Sequence, residues 1–321
     1  MKKLLILIIA IIALMPFSSC DNRRPIYPES GVWVVVNLDW SELEENPNGA
    51  TVRFYPKTRS ELSVVTLRTN SSVDSAFVKR DNYAIVVMNE TVDSHSNIEF
   101  SNSDNYENFV GRIKSVLNPS AGGDDIVTGG EPDAFATASY EDLEVTRESV
   151  IEAKRYELDF TPQLRTKQLC VTLYINGIDN LRSDIQALTI DGMADGIKLY
   201  TGESNGVGIS HYLTFTEKVY DEDSYKRGYL RGYVNCFGVA GNGIDNKVTL
   251  YMALRDGNMH YIKDIDVTDM IYTDENDELK LYLDLEDITL PEVEDIYNPG
   301  SGFDAEVDDW DEEEDLNIPI I

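Results

Sequence analysis

Leu279-Lys280-Leu281-Tyr282-Leu283-Asp284-Leu285 alternates between leucine and side chains that carry charge or a hydroxyl. Successive side chains of a strand point to opposite faces, so the four leucines share a buried face and Lys280, Tyr282 and Asp284 face water. The same period of two dominates from Gly31 onward. Val32, Val34, Val36, Leu38 and Trp40 fall on one face, and Trp33, Val35, Asn37 and Asp39 on the other. Asn46-Pro47-Asn48-Gly49 is a turn signal, and the return of Thr51–Tyr55 predicts a hairpin with the preceding strand. Further strands are predicted at Leu62–Arg68, Tyr83–Met88, Ile98, Phe135–Tyr140, Leu143–Thr146 and Arg155–Phe160. After Thr161-Pro162 they continue at Gln168–Ile175, Thr189–Ile190, Gly196–Tyr200, His211–Thr216, Tyr229–Phe237, Lys247–Leu254 and Tyr261–Val267.

Many short alternating strands separated by Gly, Asn and Asp clusters indicate an all-β chain of antiparallel sheets packed as sandwiches. Two tandem β-sandwich domains are expected, at 31–160 and 161–290. One segment breaks the period. Tyr106, Phe109, Val110, Ile113, Val116 and Leu117 recur at helical spacing after Ser103 and Asp104, with Pro119 beyond, and predict one short helix in the first domain. Asn118–Asp133, rich in Gly and Asp, reads as a long loop.

The chain has 321 residues, with 58 acidic and 27 basic side chains and a net charge of -31. Such a charge repels phosphate backbones and argues against nucleic-acid partners. Hydrophobic residues make up 42% and aromatics 10%, enough apolar surface for sizeable cores.

Lys2 and Lys3 precede an apolar stretch from Leu4 to Met15, followed by Pro16, Phe17, Ser18, Ser19 and Cys20. Twelve helical residues rise about 18 Å, short of the roughly 30 Å hydrocarbon core, so residues 1–19 read as a signal peptide. Two serines running into a cysteine resemble the bacterial lipobox. That resemblance implies cleavage between Ser19 and Cys20, diacylation of the Cys20 thiol and acylation of the new amino terminus, with residues 20–30 as a tether. Removing two lysines and no acid takes the charge from -31 to -33. At the other end, residues 291–321 form an acidic tail: Glu292–Asp315 hold twelve acids and no base, and the apolar Leu316–Ile321 follow. Alternation of Phe303, Ala305 and Val307 before Trp310 hints at one more strand.

Chemistry-bearing residues are sparse. His95, His211 and His260 lie far apart, so no metal site and no catalytic site is expected from them. Gly202-Glu203-Ser204-Asn205-Gly206 matches the G-x-S-x-G elbow formally, but a strand rather than a helix follows, so a turn is expected. Asp221-Glu222-Asp223 and Asp274–Glu278 lack the spacing of a calcium loop. Cys170 and Cys236 both fall on predicted strands. They form either a disulfide closing a loop of about 65 residues or two separate buried thiols. Tyr225, Tyr229, Tyr233 and Tyr251 alternate with small or polar residues as cross-strand residues do, and an aromatic carbohydrate platform is the alternative role.

Several strings in series resemble the fimbrillin-like lipoproteins of Bacteroidetes, in particular the branch of fimbrial anchor and accessory subunits. They are VWVVVNLDW (32–40), TVRFYP (51–56), YAIVVMNE (83–90), TKQLCVTLYINGIDNLRS (166–183), IDGMADG (190–196), CFGV (236–239), LRDG (254–257), DVTDMI (266–271) and GFDAEVDDW (302–310). The resemblance implies two transthyretin-like β-sandwich domains, a lipid anchor in the cell outer membrane, partners among fimbrial subunits through strand complementation, a role in adhesion, and no cofactor. A sandwich lacking one strand exposes unpaired backbone and an apolar groove that a strand from another subunit completes. Loss of Val32–Trp40 would open such a groove. Arg23 and Arg24 upstream and Arg53 and Arg59 downstream are the basic sites nearest to it, either for a trypsin-like protease or as ordinary surface arginines. A surface-tethered glycan- or ligand-binding lipoprotein is the alternative function.

Overall fold

A computed structural model describes residues 30–90, 94–119, 125–241, 243–276 and 278–293. Strands in chain order are β1 (Gly31–Leu38), β2 (Ala50–Pro56), β3 (Val65–Thr69), β4 (Val73–Lys79), β5 (Asn82–Asn89), β6 (Ile98–Ser101) and β7 (Val110–Ile113). There follow β8 (Ser115–Pro119), β9 (Asp125–Gly129), β10 (Ala136–Glu144), helix α1 (Arg147–Ile151), β11 (Arg155–Phe160) and β12 (Gln163–Leu164). The remainder is β13 (Lys167–Asn176), β14 (Leu181–Ala194), β15 (Gly196–Lys198), β16 (Gly208–Asp221), β17 (Ser224–Cys236), β18 (Lys247–Leu254), β19 (Met259–Asp266), β20 (Ile271–Thr273) and β21 (Leu279–Thr289). The protein is all-β, built as sandwiches.

In the first half a three-stranded sheet, β11-β1-β4, faces a five-stranded one, β12-β10-β5-β2-β3. Val32, Val34, Val36 and Leu38 meet Val52, Phe54, Ile85 and Val87 between them. The five-stranded sheet is apolar on both sides, which explains the unbroken run Tyr83–Met88. Tyr55, Ala84, Val86 and Met88 on its other face pack with Phe109, Phe135, Ile197, Leu199 and Phe237, joining the two halves through a shared cluster. A small sheet, β15-β7-β6, spans the same junction.

Eight strands of the second half form a ten-stranded sheet folded on itself together with β8 and β9 of the first half, β9 meeting β16 at Gly129↔His211. The first part of β16 pairs with β14 and its last part with β17, the switch falling between Thr214 and Phe215. A strand that changes sheets makes a sandwich corner. The two layers enclose Leu169, Val171 and Leu173 of β13, Leu188 and Ile190 of β14, Leu250 and Met252 of β18, and Leu279, Leu281 and Leu283 of β21. From Leu279 to Asp284 the alternation that opened the sequence reading is realised, with Leu279, Leu281 and Leu283 buried and Lys280, Tyr282 and Asp284 outward.

In both halves the first strand lies parallel to a late one: Trp33↔Arg155 through Leu38↔Phe160, and Leu169↔Leu279 through Ile175↔Leu285. These two ladders depart from the wholly antiparallel expectation. Joining parallel neighbours needs a long crossover, here supplied by the whole intervening sandwich.

Three local readings are corrected. β1 and β2 are not a hairpin: β1 pairs with β4 and β11, and β2 with β3 and β5. The connection from Asp39 to Gly49 is long enough to cross between layers, and β4, unannounced by its mixed sequence, takes the place beside β1. The segment Tyr106–Leu117 is not helical. Asn102 and Asn105 accept turn hydrogen bonds from Asn105 and Asn108 (2.9 and 3.3 Å), and β7 and β8 follow. Phe109, Val110 and Ile113 are buried because β7 lies between β6 and β15, whereas Leu117 is exposed. The short helix of the first half is α1 instead, capped by Thr146, whose side chain accepts from Ser149 N while Ser149 Oγ accepts from Thr146 N. Finally, the Asn118–Asp133 loop contains β9, which pairs with β8 over Val116↔Thr128 and Leu117↔Val127.

Candidate assembly interface

β1 is the element on which a strand-exchange role depends. Its inward side chains, Val32, Val34, Val36 and Leu38, are almost wholly buried, each worth roughly 1.5–3 kcal/mol of transfer free energy as an upper estimate. Ladders on both sides satisfy its backbone, to β11 and to β4. At its exit Leu38 N donates to Ser72 O at 2.7 Å, Asp39 N donates to Phe160 O at 2.9 Å, and Asn37 Nδ2 donates to Asp159 Oδ1 at 2.7 Å. Outward, Trp33 stands 5.4 Å from Phe77 in an edge-to-face pair. The β4 half of this site was missed in the sequence because Asp74, Ser75 and Lys79 dilute its alternation.

The two downstream arginines differ. Arg53 sits on β2 inside the five-stranded sheet, donates from Nη1 to Ser103 O at 2.5 Å and lies over the Phe109 ring at 5.3 Å. Cleavage there would sever a strand that carries the buried Val52 and Phe54. Arg59 lies between β2 and β3, 2.7 Å from Glu61, with its backbone N donating to Asp81 Oδ2 at 2.9 Å. Partial burial pushes the Asp81 carboxyl up, but hydrogen bonds from Thr58, Asn82 and Arg59 outweigh it and hold the group below its ordinary value. Arg23, Arg24, Ser19, Cys20 and the tail beyond Val293 lie outside the described residues.

Cys170 and Cys236 are free thiols, and no disulfide joins them. Cys170 opposes Tyr233 and Cys236 opposes Lys167, so the two occupy opposite faces of the β13–β17 pair. Cys236 belongs to the core beside Val234, and burial pushes its thiol up to about 11. The expected result is that reductant leaves the melting temperature unchanged. In the native protein Cys236 should resist a thiol reagent that modifies it after unfolding. A reductant-sensitive melting temperature would contradict the arrangement.

The histidines stay apart. His95 Nε2 contacts Asn89 O at 3.2 Å and its ring meets Phe135 edge-on at 5.1 Å. His211 is fully buried on β16, and His260 lies on β19. Among the described residues no group of three or more His, Cys, Asp or Glu could hold a metal ion. Ser204 Oγ donates to Ala240 O at 3.0 Å and accepts from Gly206 N at 3.1 Å, in a turn that leads into β16. Asp274 Oδ1 accepts from Asn276 N and Glu278 N, both at 2.9 Å, closing a turn. A cleft of about 1100 Å³ between the Leu43–Gly49 loop and the Asn276–Glu278 turn is lined by amides and carboxylates, among them Asn48, Asn89, Glu90 and Asn235. No helix among the described residues is long and apolar enough to cross a membrane.

This all-β sandwich architecture is shared with solved structures. A crystal structure of a candidate adhesin from Bacteroides ovatus superposes with a TM-score of 0.60 at 17% identity, over 85% of this chain and 98% of that one. The fimbrial anchor protein Mfa2 from Porphyromonas gingivalis does so with a TM-score of 0.50 at 13% identity, over 79% and 90%. The chain belongs to the family described as a domain of unknown function, DUF5119, which matches residues 19–213. No curated protein matches it in sequence.

Proposed function

We propose that the chain is a non-catalytic, lipid-anchored cell-surface protein, an anchor or accessory subunit of a fimbria acting in adhesion and joined to its neighbours by strand complementation. The observation that carries this reading is β1, an amino-terminal strand that fills a core groove with four side chains and is laddered on both sides. Loss or exchange of such a strand leaves a groove that only another strand can satisfy. The shared fold with a fimbrial anchor protein supports the same assignment. In this reading residues 1–19 are removed, Cys20 carries the lipid, 20–30 form the tether, 31–160 and 161–290 are the two sandwiches and 291–321 are an acidic tail. A parallel ladder between the first strand and a late one recurs in each half and supports that division.

Detergent extracts test it. The protein is expected to co-purify with fimbrial polymers, and Cys20→Ser to move it from the membrane to the soluble fraction. Recovery solely as a monomer, with no polymer attached, would overturn the assembly role.

A further inference from the structure

The outer face of the second sandwich carries a row structure that strand complementation does not use. Across it β20, β21, β13, β17 and β16 lie side by side. Register places Tyr272 beside Lys280, Tyr282 and Arg231 on either side of Thr172, and Tyr229 and Asp284 on either side of Tyr174. All point away from the leucine core, because Leu169, Leu173, Leu281 and Leu283 take the alternate positions. Tyr272, Tyr282 and Tyr233 are 55%, 48% and 39% exposed, a large aromatic area left in water. Tyr282 and Tyr233 are two strands apart, about 10 Å across the sheet.

Between these rings Arg231 is held in place. Its Nε donates to Thr172 Oγ1 at 3.3 Å, its Nη1 lies 3.3 Å from Glu217, and its guanidinium covers the Tyr229 ring at 4.9 Å. Tyr233 OH also donates to Glu217, at 3.4 Å. A fixed fork of donors beside a carboxylate loses little freedom when a ligand arrives. The charges close among themselves as well: Arg227 lies 3.6 Å from Asp221, and Lys280 3.7 Å from Asp274 and closer to Glu278. This face therefore offers no excess positive charge, while the chain as a whole carries -31. Polyanions, anionic surfaces and a second copy of the chain are all repelled. An uncharged ligand with apolar C–H faces and paired hydroxyls matches exposed rings flanking fixed donors and acceptors.

We propose that this tyrosine face binds an uncharged polysaccharide. The inference stands apart from the fimbrial reading, since it uses neither β1 nor the anchor. The test is affinity electrophoresis of the detergent-solubilised full chain in gels containing mannan, starch, a soluble β-glucan or a galactan, with alginate as the anionic control. At least one neutral polymer is expected to retard the protein, and alginate is not. Tyr233→Ala with Tyr282→Ala should weaken that retardation at least tenfold with the melting temperature kept, and Arg231→Gln should weaken it also. Trp33→Ala, an exposed aromatic on the other sandwich, should leave it unchanged. Retardation by none of the neutral polymers, by alginate alone, or equally in the tyrosine variants would overturn the proposal. A concentration-dependent dimer abolished by the tyrosine substitutions would assign the face to a second copy and overturn it too.

Discussion

Val34→Asp is expected to destabilise the first sandwich by about 3–5 kcal/mol, the cost of an unpaired carboxylate in a dry core. Val34 is 0% exposed at the centre of β1, among Val52, Phe54, Ile85 and Val87. Trp33→Ala, one residue away, should cost far less, because Trp33 is 54% exposed and loses mainly its edge contact with Phe77. The contrast measures register as well as burial. A slip of one residue would invert every side chain of β1, so equal effects of the two substitutions in denaturant titrations would contradict the placement. Because the same four side chains would plug or vacate the groove, Val34→Asp should also abolish any subunit exchange that depends on β1.

The second large effect is on pH. His211 is buried on β16, opposite Ile190 and against Gly129, and neither ring nitrogen has a partner among the described residues. Burial disfavours the imidazolium and pulls the group down to about 4 from 6.5. The unfolded chain therefore binds a proton between pH 6.5 and 4 that the folded chain refuses. Stability from this group is complete above pH 6.5 and is lost as pH falls through 4, by about 3 kcal/mol. His211→Phe should remove that component, so the wild type should lose more stability than the variant between pH 7 and 4.5. Acidification also relieves repulsion within a chain of charge -31, which raises the stability of both forms and makes the difference between them the informative quantity. Parallel pH profiles would contradict the buried neutral imidazole.

Sequence alternation located most core strands because each buries one face, and β21 and β1 are the clear instances. Partner choice was not legible. The Asn46–Gly49 turn signal announces a reversal of direction but cannot say that β1 finds β4 and β11 in another layer. The apparent helix at Tyr106–Leu117 arose because two asparagine turns and two short strands happened to space apolar residues by three and four. Cysteine geometry was readable from parity: Leu169 and Val171 point inward, so Cys170 points outward, whereas Cys236 follows the inward Val234. The tyrosine face was half visible, in Tyr282 flanked by Lys280 and Asp284. Its completion by Tyr229, Arg231 and Tyr233 required the order β21-β13-β17, which depends on a parallel pairing between segments more than a hundred residues apart.

Protease treatment of intact cells, followed by immunoblotting with and without crosslinking, tests the fimbrial account most directly. The account predicts digestion on intact cells and a ladder of higher-mass crosslinked species that includes fimbrial subunits. Protection from protease, together with a single uncrosslinked band, would contradict it.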